Sequence, residues 1–221
     1  MFLTTLAPPG HTRRMNSLSP HESISTLKPL PARRRRQPSE LFRKRASWLL
    51  VATLLPAWFY LPESAAPTLT LTADALGLLA VTLAMIGRLW CALYIAGRKN
   101  AELCQDGPYS LVRNPLYVFS FIGALGVVLA THRWGLLPLV TVAFLVYYHV
   151  IIRAEETRLS ALFPQSYLAY CDEVPRGLPR LHGHRTRTQL TLDPRDVTRA
   201  MREVIWFPLA FTSVAIVTHF T

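Results

Sequence analysis

The stretch that decides the fold is "NPLYVFSFIGALGVVLATHRWGLLPLVTVAFLVYYHVIIRAEE", residues 114–156. Two apolar runs, Leu116–Ala130 and Trp134–Ile152, are separated only by "THR". Neither run alternates with period two, and each is long for a strand, so both read as helices. A link this short forces them into a tight antiparallel hairpin. Its two outer ends, "RNP" and "RAEE", then lie side by side.

Working outward, three more apolar stretches appear. Ser47–Leu61 is short for a bilayer, carries Pro56, and has Trp and Tyr residues suited to interfaces. Asp74–Gly97 is long enough to span; Arg88 interrupts it about two turns from its end, where it either snorkels or lines a polar cavity. Val204–Phe220 either spans or lies in the interface. With 51% hydrophobic and only 17% charged residues, the 221-residue chain reads as an all-α integral membrane protein of about four to five helices. Residues 47–203 form its body, between a basic, unstructured tail (1–46) and a C-terminal apolar segment (204–221).

Charge is segregated. The first 46 residues hold ten Lys and Arg, and residues 153–202 hold nine Arg. The loop "PESAAPTLTLTA" has none. By the positive-inside rule the N-terminus, the "GPYSLVRNP" loop and residues 153–202 face the cytoplasm, in an inner or plasma membrane. No apolar run follows Arg13 and Arg14, so the N-terminus does not read as a signal peptide, and Met15 is an alternative start. "RRRR" (33–36) reads as an orientation signal in contact with anionic lipid; no folded nucleic-acid module accompanies it. Cys91, Cys104 and Cys171 show no paired spacing, and "HGH" (182–184) lacks a third ligand, so no metal is expected. His149 reads as a packed or hydrogen-bonded residue rather than a catalytic one.

Two polar clusters bracket the hairpin. The first is Gly107, Pro108, Tyr109, Arg113, Asn114, Pro115 and Tyr117; the second is Arg153, Glu155, Glu156, Tyr167, Tyr170 and Arg176. Pro115 fixes its own φ and drives Asn114 out of the α region, so the chain enters its helix rigid and extended. A helix start beside an arginine favours an anionic group. Glu155 and Glu156 bring the opposite charge but point about 100° apart, so they cannot both meet one ligand atom. Taken singly, the arginines read as snorkelling, the glutamates as partners of Arg153 and Arg158 on a solvated helix, and Tyr167 and Tyr170 equally well as interfacial belt residues. Their joint order is what points to a pocket.

"GPYSLVRNPLYV", followed by "EETRL", "LFPQSYLAY" and "VPR", resembles the isoprenylcysteine carboxyl methyltransferase family, whose wider group includes bacterial phospholipid N-methyltransferases. The family pattern is GPY, RHPxY opening a membrane helix, paired glutamates, FGxxYxxY and VPR. The resemblance covers roughly residues 97–181. It implies a membrane enzyme that binds S-adenosylmethionine in a cytosolic pocket and methylates a lipophilic acceptor. It further implies that Tyr109, Val112, Arg113, Asn114, Pro115, Tyr117 and Glu156 contact the cofactor, that Glu155 assists or orders an arginine, and that Arg113 and Glu156 are the catalytic candidates. Asn114 stands where the family has histidine, and asparagine cannot act as a base near neutral pH. Pro164 replaces a family glycine, and "YVFS" lacks another. A carboxylate acceptor, which needs no base, suits such a site. Two rivals remain at this level: an NADPH-dependent membrane reductase of the sterol-reductase type, and a non-catalytic membrane protein that keeps the motif as structure.

Overall fold

Proline sets most of the helix starts. In the computed structural model, residues 58–63, 66–98, 101–180, 183–187, 190 and 192–220 are described. Seven helices are bounded among them: α1 (Pro67–Ile95), α2 (Pro108–Leu111), α3 (Pro115–Leu129), α4 (Leu136–Leu162), α5 (Pro164–Glu173), α6 (Pro194–Val204) and α7 (Trp206–Phe220). No strand occurs among the described residues. Five of the seven open with proline, where the missing N–H costs nothing and φ is already helical. At α6 the Asp193 side chain also accepts from the Arg195 N–H at 2.8 Å, a conventional N-cap. Between α6 and α7, Pro208 cannot donate to the carbonyl one turn back at Val204, and the helix breaks at Ile205.

The protein is an all-helical membrane protein. α1, α4 and the stretch Pro194–Phe220 are each long and apolar enough to cross a bilayer. α1, 29 residues long, extends about 43 Å against a hydrocarbon core of about 30 Å. Its buried positions, Ala73, Gly77, Val81, Ala84, Gly87, Cys91 and Tyr94, recur every third or fourth residue and are mostly small. Its exposed face carries Leu76, Leu79, Leu83 and Ile86. Small residues inward and large apolar ones outward is the arrangement expected where lipid, not water, is the solvent. α3 is shorter, 15 residues, and lies at the centre, packed on α1, α4 and α7.

Several boundaries differ from the sequence reading. The apolar stretch from Ser47 lies almost wholly outside the described residues. α1 begins seven residues before Asp74, because Pro67 starts it and the Thr70 and Thr72 hydroxyls bond back to carbonyls of the same turn. The hairpin turn occupies residues 130–135 rather than "THR" alone. It is pinned by His132, which has φ +53° and lies buried, its Nε2 2.9 Å from Asp74 Oδ1. Asp74 Oδ2 lies 3.2 Å from His219 Nε2, so one carboxylate joins α1, the turn and α7. α4 runs ten residues past Ile152, carrying Glu155 and Glu156 on a continuous helix, and ends where Pro164 forbids its extension.

Candidate active site

The segment between α1 and α3 forms one wall. Gly107 has φ +60°, in the region that favours glycine, and the Tyr94 ring fills the space a side chain would need. Pro108 then starts the single turn α2, and Val112 leaves it in an extended conformation. Asn114 (φ −128°, ψ 59°) is non-helical, as its following proline demands. The chain downstream of α5 runs antiparallel along this segment. Arg113 N–H donates to the Pro175 carbonyl (3.0 Å), Arg180 N–H to Leu111 (2.9 Å), and Gly107 N–H to Arg185 (2.7 Å). "VPR" is thereby clipped against "LVRN".

α4 supplies the opposite wall. Tyr117 Oη donates to Glu155 Oε2 at 2.7 Å. Glu156 turns instead toward two arginines: Arg113 Nη1 lies 3.7 Å from Oε1, and Arg176 Nη2 lies 3.0 Å from Oε2. The two glutamates therefore face different partners, as adjacent helical positions must. The Arg113 and Glu156 side chains are only 19% and 20% exposed, so this pairing is screened less than one at the surface. Arg113 Nη1 also lies 3.0 Å from Cys171 Sγ, toward which it donates.

Hydrogen bonding within the cluster is incomplete. Arg113 Nε, Asn114 Nδ2, Arg176 Nη2 and Glu156 Oε1 are buried yet have no partner of hydrogen-bond geometry. Native structures seldom leave buried polar atoms unsatisfied, so such a group of donors with one acceptor calls for an explanation.

The tyrosines do not form an interfacial belt. Tyr167 and Tyr170 are buried with Val174, against Leu103, Leu159 and Phe163, because α5 folds back beneath the loop. Tyr170 Oη donates to the Tyr109 carbonyl at 2.7 Å. Tyr109 itself packs with Cys91, Tyr94 and Cys104 rather than with the Arg113–Glu156 pair, and its hydroxyl is buried without a partner. Burial pushes all three phenols above their ordinary pKa, with Glu156 adding to the effect at Tyr167, so none becomes a phenolate near neutral pH.

Of the candidates, Arg113, Asn114, Tyr117, Glu155 and Glu156 converge, with Val112 and Pro115 buried behind them. Sequence reasoning missed the contacts of Arg176 and Cys171, which follow from the backbone clip at Pro175 and the return of α5. His149 is exposed rather than packed. His184 sits near Trp90 (5.9 Å between rings) and Ser110; His182 lies outside the described residues. Among the described residues no three His, Cys, Asp or Glu side chains are placed to hold a metal ion.

Comparison with known proteins shows what the chain is similar to. Residues 68–166, from the start of α1 to the start of α5, match the phospholipid methyltransferase family model. This match covers less than half of the chain. The chain is thus similar to that family over these residues. It is 40% identical over 132 residues to the cobalt-zinc-cadmium resistance protein CzcN of Cupriavidus metallidurans, covering 60% of this chain and 61% of that protein. It is likewise 40% identical over 131 residues to the nickel-cobalt-cadmium resistance protein NccN of Alcaligenes xylosoxydans xylosoxydans, covering 59% and 61%. The chain thus spans about three fifths of the length of these relatives. It is 33% identical over 87 residues to the protein-S-isoprenylcysteine O-methyltransferase of Schizosaccharomyces pombe, covering 38% of this chain and 37% of that protein. No solved structure matches it.

Proposed function

We propose that the chain is a membrane methyltransferase that binds S-adenosylmethionine at the Arg113–Glu156 cluster and methylates a lipophilic acceptor. The observation that carries this reading is the set of buried, unpartnered donors (Arg113 Nε, Asn114 Nδ2) around one unpartnered carboxylate oxygen (Glu156 Oε1), inside residues 68–166. A zwitterion fits such a set. The donors would take its carboxylate, and Glu156 would take its ammonium. Glu155, fixed by Tyr117, and Val112 and Pro115 would complete the wall, and Tyr109 would back it from the adjoining cluster. When bound, the cofactor supplies an electrophilic methyl group on a sulfonium.

The residues would contribute positioning and a fixed field rather than proton transfer. Asn114 cannot act as a base, and Tyr109, Tyr167 and Tyr170 are held neutral by burial. An acceptor that attacks without losing a proton, such as a carboxylate, suits this set better than an ammonium does.

The test is calorimetric titration of the full chain in nanodiscs with S-adenosylmethionine. Arg113→Ala and Glu156→Ala should each weaken binding about tenfold or more, the cost of losing a charge-assisted contact. Arg180→Ala should leave it nearly unchanged, because only its backbone N–H is engaged and its side chain is exposed. No measurable affinity in the wild type would end the proposal. Equal losses in all three variants would reduce the site to bulk charge.

A further inference from the structure

Arg113 and Glu156 carry opposite charges and lie side by side, yet they do not close on each other. Nη1 stands 3.7 Å from Oε1, against about 2.7–2.9 Å for a guanidinium bonded to a carboxylate. A thiol is a much weaker acceptor than a carboxylate. Arg113 Nη1 nevertheless donates to Cys171 Sγ, at 3.0 Å. On the other side, Glu156 Oε2 is drawn to Arg176 Nη2, also 3.0 Å away. Each member of the pair is thus held from behind by a different residue. The gap leaves Arg113 Nε and Glu156 Oε1 buried without a partner. A closed, two-pronged pair would satisfy both atoms.

Both holding residues come from the segment that returns beneath the site, and both are themselves fixed. Cys171 lies on α5, packed against buried Tyr167, Tyr170 and Val174. The Tyr170 hydroxyl ties that helix to the Tyr109 carbonyl. Arg176 follows Pro175, whose carbonyl accepts from the Arg113 N–H. The backbone that carries Arg113 therefore also sets where Arg176 stands. Neither anchor can follow its partner far if the pair tries to close.

From this arrangement we infer that Cys171 and Arg176 are positioning residues that hold Arg113 and Glu156 apart, open to a ligand that carries both a carboxylate and an ammonium. They act through the pair and need not touch the ligand. A closed pair would have to be broken each time such a ligand entered, and its affinity would fall by that amount. Held open, the two charges are already spaced and desolvated for it. The inference deepens the proposed function and rests on that reading for the identity of the ligand. It adds the reason why the pair stays unsatisfied in the empty protein.

The experiment compares two ligands without a transferable methyl group. S-adenosylhomocysteine keeps the amino-acid end; methylthioadenosine has the same nucleoside and thioether but lacks that end. Each is titrated by calorimetry into the full chain in phosphatidylcholine nanodiscs. The wild type should bind S-adenosylhomocysteine about tenfold more tightly or better. Cys171→Ala should remove most of this advantage, weakening S-adenosylhomocysteine about fivefold or more and leaving methylthioadenosine unchanged. Cys171→Ser keeps an acceptor and should retain the advantage. Arg176→Gln should act as Cys171→Ala does, and the double variant should lose little more, because either change lets the pair close. Should Arg176→Gln fail to fold, alanine against serine at position 171 decides alone. Equal weakening of both ligands in Cys171→Ala would reduce the residue to packing and overturn the inference, as would no change in either. A wild type with no preference for S-adenosylhomocysteine would end the proposed function and this inference with it. A preference that every variant shares would overturn the inference alone.

Discussion

Tyr170 shows how a residue that touches neither charge of the candidate site can hold the site together. It is 3% exposed, and its hydroxyl donates to the Tyr109 carbonyl, fixing α5 beneath the segment that presents Arg113. Tyr170→Phe keeps the ring and its packing but leaves that carbonyl buried without the bond. It should destabilise the protein by about 1–3 kcal/mol, the cost of an unsatisfied buried acceptor, seen as a lower melting temperature in detergent. A melting temperature equal to wild type would show that the bond contributes nothing. Burial also raises the Tyr170 pKa, so the effect should not change between mildly acid and mildly alkaline buffer. At this scale the sequence was legible where spacing fixed the chemistry. Arg113 before Asn114-Pro115 and the adjacent glutamates after a tight hairpin had to meet, because the hairpin joins its ends. Arg176 was read as part of the second cluster, but its contact with Glu156 was not legible. Its approach to Glu156 depends on Arg113 N–H reaching the Pro175 carbonyl, a pairing between backbone groups more than sixty residues apart, on which side-chain identity has no bearing. Tyr170 was ambiguous for a related reason: a tyrosine near a membrane boundary has the same composition whether it faces headgroups or a folded-back helix.

Among the helices, the contact between α1 and α3 is the closest. A Cβ on Gly77 would lie 2.8 Å from the Gly126 carbonyl oxygen, and one on Gly126 would lie 2.7 Å from the Gly77 oxygen. The two backbones touch, and neither oxygen can swing aside as the end of a side chain could. Two effects oppose each other in Gly126→Ala. Alanine gains about 1 kcal/mol in helix propensity. Forcing the helices apart costs about 1–3 kcal/mol in overpacking. Because the clash is with backbone on both sides, the second should win. The variant should melt below the wild type, and Gly77→Ala likewise, whereas Gly177→Ala, with nothing within 4 Å, should be neutral. Unchanged melting of both helix variants would mean that the seam is looser than drawn. The helices themselves were readable from apolar runs, because a run of that length in a chain this poor in charge has few alternatives. Their ends were not. The threonines after Pro67 look like loop residues until their hydroxyls are seen bonding back within the first turn. The ten residues that extend α4 are too polar for the apolar run to mark its end, yet nothing breaks the helix before Pro164.

For the molecule as a whole, the open matter is orientation, and the charge distribution makes a definite proposal. Clipped to the segment before α3, residues 175–185 put Arg176, Arg180 and Arg185 at the same end of the bundle as the candidate site. The opposite end holds Glu63, Asp74, His132, Arg133 and His219, joined through Asp74 and through Arg133, which bonds the Leu61 carbonyl and lies 3.2 Å from Glu63. Three arginines against one would set the site end toward the cytoplasm by the positive-inside rule. This can be read directly with a membrane-impermeant maleimide. In a background with Cys91, Cys104 and Cys171 replaced by serine, a cysteine is placed at exposed Gly177 or at exposed Pro62. Loss of the Arg113–Cys171 contact does not matter here, because topology rather than activity is the readout. In intact cells the reagent should label Pro62→Cys and spare Gly177→Cys, and permeabilisation should make Gly177→Cys reactive. The reverse pattern would place the candidate site outside the cell, away from cytosolic S-adenosylmethionine, and would count against the proposed function while leaving the fold untouched. Labelling of both positions in intact cells would show that the helices do not form a sealed transmembrane unit, and would remove the basis for assigning either end to a compartment.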